Sequence, residues 1–120
     1  MWINVAAISG ALAVAAGAFG AHGLRERVSP EQLDAWATAC QYHLLHSVAL
    51  LALALYAAEA EKVIRLPASL FTAGILLFSG SIYLLVLTPY RWLGPITPVG
   101  GVLLIAGWLS LIALAGQENR

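Results

Sequence analysis

Four long apolar runs, Trp2 to Gly20, Tyr42 to Ala58, Leu66 to Leu87 and Pro98 to Ala115, occupy most of the 120 residues, and the charged positions fall between or beyond them. A helix of roughly 20 apolar residues crosses a hydrocarbon core of ~30 Å, so each run reads as a membrane span. The runs are continuous, without the apolar-polar alternation of a transmembrane barrel strand, which leaves helices as the way to satisfy every backbone group in lipid. The pattern predicts an all-α membrane protein: one domain over 1–120, four transmembrane helices joined by short links, packed as an up-down antiparallel bundle. Ser29-Pro30-Glu31-Gln32 is a helix start, with Ser29 as N-cap, proline at the first helical position and Gln32 closing a capping box. From there to Ala58 nothing breaks the helix, which would run ~43 Å, longer than a membrane is thick. Its first turns are therefore expected outside or along the interface as an amphipathic extension, with Leu33, Trp36, Ala37 and Cys40 on one apolar face. Thr97-Pro98 and Pro67 mark the starts of the fourth and third spans, and the stretch TPYRWLGPITP, 88 to 98, reads as a turn.

Composition agrees: 61% of the chain is hydrophobic, with six Lys or Arg against six Asp or Glu. Zero net charge and no basic cluster give no sign of a nucleic-acid partner, and membrane lipids are the expected surroundings. Cys40 is the only cysteine, which excludes an intrachain disulfide or a multi-thiolate metal site within one chain. No Lys or Arg precedes the first run, so it is expected to be a span and not a cleaved leader. With four spans, Arg25, Arg27 and Arg91 share one face of the membrane, and Lys62, Arg65 and Arg120 the other; the tie leaves orientation open. Trp36 and Trp92 are expected at headgroup level on the first of these faces, Trp2 and Tyr56 on the second.

The first span lacks bulk. Ala6, Gly10, Ala13, Gly17 and Ala21 recur at three- or four-residue intervals, and with Gly20 they predict close helix contacts, to another span or to a second copy. Gly100 and Gly101 give the fourth span a second such place. On the third span Ser69, Thr72, Ser79 and Tyr83 fall in one stripe that should face protein, while Ser81 points the opposite way. Tyr42 and His46 share a face of the second span, and an imidazole in the membrane needs a partner, expected on the first or third span at Ser79 or Tyr83. Gly23 offers a left-handed helix end, which would place His22 in a polar niche at the last turn of the first span. His22, Tyr42, His46, Ser79 and Tyr83 thus form a candidate ligand-binding interior, and Arg25, Arg27, Arg91 and Thr97, beside two helix N-termini, a candidate site for an anion or a lipid headgroup. No carboxylate in the spans completes a zinc site, and no nucleophile-base pair or phosphate loop is present, so neither catalysis nor a metal or other cofactor is expected.

GAFGAHGL at 17 to 24, the Tyr42-x-x-x-His46 pair, LFSGSIYLL at 77 to 85, and ITPVGG with GW between 96 and 108 resemble the domain of unknown function 423 family. These are small bacterial inner-membrane proteins, similar to transmembrane protein 256 of animals. The resemblance implies four membrane helices, location in the bacterial cytoplasmic membrane and no established activity, and it assigns no catalytic residue. Residues and resemblance together suggest a non-enzymatic protein acting through helix contacts, as a homo-oligomer or as a small accessory subunit of a membrane complex. The alternative is a binder or carrier of a small polar or anionic ligand.

Overall fold

The computed structural model describes residues 1–118; Arg120, one of the basic residues weighed for orientation, lies outside the described residues. Four helices cover the four apolar runs: α1 (Trp2–His22), α2 (Pro30–Ala60), α3 (Arg65–Leu87) and α4 (Ile96–Glu118). Each is long and apolar enough to cross a membrane, and no strand occurs among the described residues.

Local chemistry sets the helix ends. Ser29 forms the expected capping box: its hydroxyl accepts from the Gln32 N–H at 3.1 Å, and the Gln32 side chain accepts from the Ser29 N–H at 3.0 Å. α2 then runs unbroken for 31 residues and ends at Glu61, whose φ of 55° places a non-glycine residue in the left-handed region. The extension before the second span is the start of this same helix, and it packs along the end of α1: the Trp36 ring lies over Gly20, and the Trp36 indole N–H donates to the Ala16 carbonyl at 2.8 Å. Trp36 is therefore only 4% exposed, packed inside the protein near the end of α1, because Gly20 leaves room for the ring. The 88 to 98 stretch holds a short 3₁₀ turn at Arg91–Leu93, and α4 begins at Ile96. Thr97 is thus inside the first turn of α4 instead of capping it, and its hydroxyl bonds to Ser81 of α3 at 2.5 Å.

Successive helices pack antiparallel, α1 chiefly on α2, α2 on α3, and α3 on α4. The apolar core joins Ala6 of α1, Leu50 and Leu53 of α2, Phe71 and Ile75 of α3, and Leu104 of α4. The closest approach differs from the sequence expectation, which placed it on the first span. A Cβ at Gly100 would overlap the backbone of Leu77 and Phe78, and one at Gly74 would overlap Leu104, so α3 and α4 make the tightest pair. On α1, Gly20 is packed against Trp36, but Gly10 has only an ordinary contact with Ser47 and Gly17 has nothing within 4 Å; Gly101 likewise has ordinary contact with Phe78.

Candidate functional site

A hydrogen-bond chain ties α1, α2 and α3 together deep in the apolar region. His43 Nδ1 lies 2.9 Å from the Tyr83 hydroxyl, and His43 Nε2 lies 3.1 Å from Ser9 Oγ. Ser9 Oγ is 2.6 Å from Ser47 Oγ, and the Ser47 hydroxyl donates to the His43 carbonyl one turn back at 2.7 Å. That carbonyl cannot donate, so the direction of every bond follows. Ser47 gives its proton to the carbonyl, Ser9 gives its proton to Ser47, His43 donates from Nε2 to Ser9, and Tyr83 donates to the bare Nδ1. The Cys40 thiol adjoins the Tyr83 oxygen and completes the row. His43 is thereby a neutral imidazole with both nitrogens satisfied, as a group in hydrocarbon requires.

Depth follows from the register. Ser47 sits opposite Ser9 and Trp36 opposite Gly20, so His43 is level with about the middle of α1. Ser79 of α3 adds a further tie, its buried hydroxyl donating across to the Ala39 carbonyl of α2 at 2.8 Å. Ser79 and Tyr83 of the third-span stripe thus face α2, whereas Thr72 donates back to the Ala68 carbonyl of its own helix and Ser69 is exposed; Ser81 faces α4 as its opposite direction implied.

His46 is 3% exposed and does turn into the bundle, but its partner is on the fourth span, not the first or third. The Trp108 indole N–H donates to His46 Nε2 at 3.0 Å, which fixes the imidazole proton on Nδ1, where it donates to the Tyr42 carbonyl at 2.7 Å. The two histidines therefore hold opposite tautomers, one joining α2 to α1 and α3, the other joining α2 to α4. Tyr42 stacks on His46 with ring centroids 6.0 Å apart, yet it is 42% exposed and borders the bundle instead of lining its interior. His43, left out of the candidate interior, is the residue at the centre of the chain. It stands three positions before His46, about 60° round the helix, enough to turn the two rings toward different neighbours.

His22 is exposed at the last turn of α1 and makes no hydrogen bond among the described residues. Gly23 has φ −86°, so the helix ends without a left-handed residue and no niche forms around the imidazole. Nor do the anion-site candidates meet. Arg25 borders a groove between α1 and α2, Arg91 and Thr97 border one between α2, α3 and α4 beside Glu31, and Arg27 is exposed in the loop.

Between α1 and α3, with α2 as its floor, lies a groove of about 710 Å³, open at the side. Leu12, Ala15 and Phe19 form one wall and Leu76, Gly80 and Leu87 the other, with Ser9, His43, Thr72, Ser79 and Tyr83 along the floor and walls.

The apolar helices, their antiparallel pairing and the buried polar ties define a polytopic helical membrane protein. The family model described as "Protein of unknown function (DUF423)" matches residues 16–101, and the chain belongs to that family. It is 43% identical to a UPF0382 membrane protein of Staphylococcus aureus, over 93% of this chain and 92% of that one. The UPF0382 membrane protein YwdK of Bacillus subtilis is 40% identical over 96% and 95% of the two chains, and one of Schizosaccharomyces pombe 43% over 91% and 96%. No solved structure matches.

Proposed function

We propose that this chain is a non-enzymatic protein of the bacterial cytoplasmic membrane that works through helix contacts, and that its first partner is a second copy of itself. Gln41 carries this reading. It is exposed on α2 and has no hydrogen-bond partner among the described residues. In the α1–α2 register it stands level with Ala15, seven residues before α1 ends at His22, which is roughly 10 Å of helix rise from that end. At that depth on the outer face of the bundle, an amide left unpaired in hydrocarbon would cost several kcal/mol, which favours a partner from outside the chain.

Gln41 lies beside a shallow groove of about 740 Å³ between α1 and α2, bordered by Ala13, Gly17 and Ala37. The open space at Gly17 lets a second backbone come close. An amide carries both donor and acceptor, so two copies related by a twofold axis satisfy each other's Gln41 with the same residue. The same face would serve a small accessory subunit docked in a larger membrane complex.

Native mass spectrometry from mild detergent is expected to show a dimer that Gln41→Leu converts to monomer while helix content by circular dichroism is unchanged. A wild-type chain that stays monomeric, or a Gln41→Leu chain that dimerises as well as wild type, would overturn the self-pairing.

A further inference from the structure

The groove between α1 and α3 has a property that its apolar walls conceal. Six of its lining residues carry a side-chain N–H or O–H: Ser9, Trp36, His43, Thr72, Ser79 and Tyr83. Each of those hydrogens is already given away. Trp36 donates to the Ala16 carbonyl, Thr72 to the Ala68 carbonyl at 2.8 Å and Ser79 to the Ala39 carbonyl, while Tyr83, His43 and Ser9 donate along the chain described above. What remains is acceptor capacity: both lone pairs of Thr72 and Ser79, and one each on Ser9 and Tyr83. Of these, Thr72 is half-buried with its oxygen otherwise unengaged, whereas Ser79 is fully buried.

A site that accepts and cannot donate selects its ligand. A molecule whose polar atoms only accept, such as an ether, ester or ketone, gains nothing here and leaves its own oxygen unpaired. A molecule with a hydroxyl gains a bond. Depth narrows the class further, because Thr72 and His43 lie near the level of the membrane centre, where a charged or zwitterionic headgroup cannot be drawn. The volume is that of a small-molecule site, and its open side lets a ligand enter laterally from the bilayer.

We propose that the α1–α3 groove binds an uncharged lipid with an apolar chain and a single hydroxyl, a long-chain or isoprenoid alcohol, whose O–H donates to Thr72. The groove holds the chain against Leu12, Phe19, Leu76 and Leu87, and Tyr83 and Ser9 lend their remaining lone pairs nearby. His43 acts on the site through its neighbours, by keeping the Tyr83 and Ser9 hydrogens turned away from the ligand.

The test uses geranylgeraniol and its methyl ether as probes, titrated into the purified full chain in mild detergent, with occupancy read by native mass spectrometry. The alcohol is expected to bind at least tenfold more tightly than the ether. Gly80 has nothing within 4 Å of where its Cβ would stand, so Gly80→Phe fills the groove without a clash in the fold and should weaken the alcohol at least tenfold. Thr72→Val keeps the shape, removes the acceptor and should lower the alcohol to the affinity of the ether. Equal binding of the two probes to wild type, absence of binding by either, or binding undiminished in Gly80→Phe overturns the proposal. So does a Thr72→Val chain that still prefers the alcohol.

Discussion

Gly100→Leu is expected to cost about 3 kcal/mol or more, enough to abolish a stable fold in mild detergent, because the new side chain would have to occupy the space of the Phe78 backbone. A backbone cannot rotate away as a flexible side chain can, and the α3–α4 pair is the tightest in the protein. α4 would have to retreat along its length, separating Leu104 from Gly74 and weakening the His46–Trp108 bond. Thermal unfolding followed by circular dichroism measures the loss, with Gly80→Leu as the matched control. That substitution has the same chemistry on α3 but open space around it, and its melting temperature should equal or exceed wild type, since leucine favours helix over glycine by nearly ~1 kcal/mol. Equal stability of the two variants would show that α3 and α4 are not in close contact.

The second large effect is expected at His43. His43→Leu removes the hub that joins Tyr83 of α3 to Ser9 of α1, leaving the tyrosine proton without its acceptor and Ser9 without its donor. Each stranded group in a dry environment costs ~1–3 kcal/mol, so the two together cost about 2–6 kcal/mol. Part of this returns on adding Tyr83→Phe, since removing both partners leaves nothing unpaired on that side. The double variant should therefore be less destabilised than the sum of the two single ones, a coupling that denaturant titration can read. His22→Ala, the change at the exposed imidazole, should stay within about 0.5 kcal/mol of wild type. If His22→Ala and His43→Leu were equally mild, the three-helix chain would not be holding the bundle.

The spans were legible because hydrophobic run length is a local property, and the Ser29 capping box was legible because its partners are three residues apart. The direction of Ser81, opposite to Ser79, also followed from helical periodicity alone. What could not be read was which helix stands beside which face. His46 and His43 both needed partners, but spacing along α2 says nothing of where α4 lies, so Trp108 was missed as a partner and His43 was passed over. Glycine spacing had the same limit: Gly17 and Gly100 look alike in the sequence, yet one faces open space and the other a backbone. The niche expected at His22 depended on a left-handed Gly23, and the chain instead leaves α1 through a right-handed turn, with the Gly23 and Leu24 N–H groups both donating to the Phe19 carbonyl.

The one-way chain from Tyr83 to the His43 carbonyl also bears on how the helices find each other. An α1 built largely of alanine and glycine presents a nearly featureless surface, and it can slide along α2 by a turn, ~5.4 Å, with little change in van der Waals contact. Only one of those positions brings Ser9 against Ser47 and His43 together. Sliding either way breaks both of those bonds and strands the Ser9 O–H and the His43 N–H in lipid at once, so misaligned hairpins are short-lived and the aligned one persists. The polar row then acts as a vernier during assembly, selecting a single alignment from several that apolar packing alone would leave nearly degenerate.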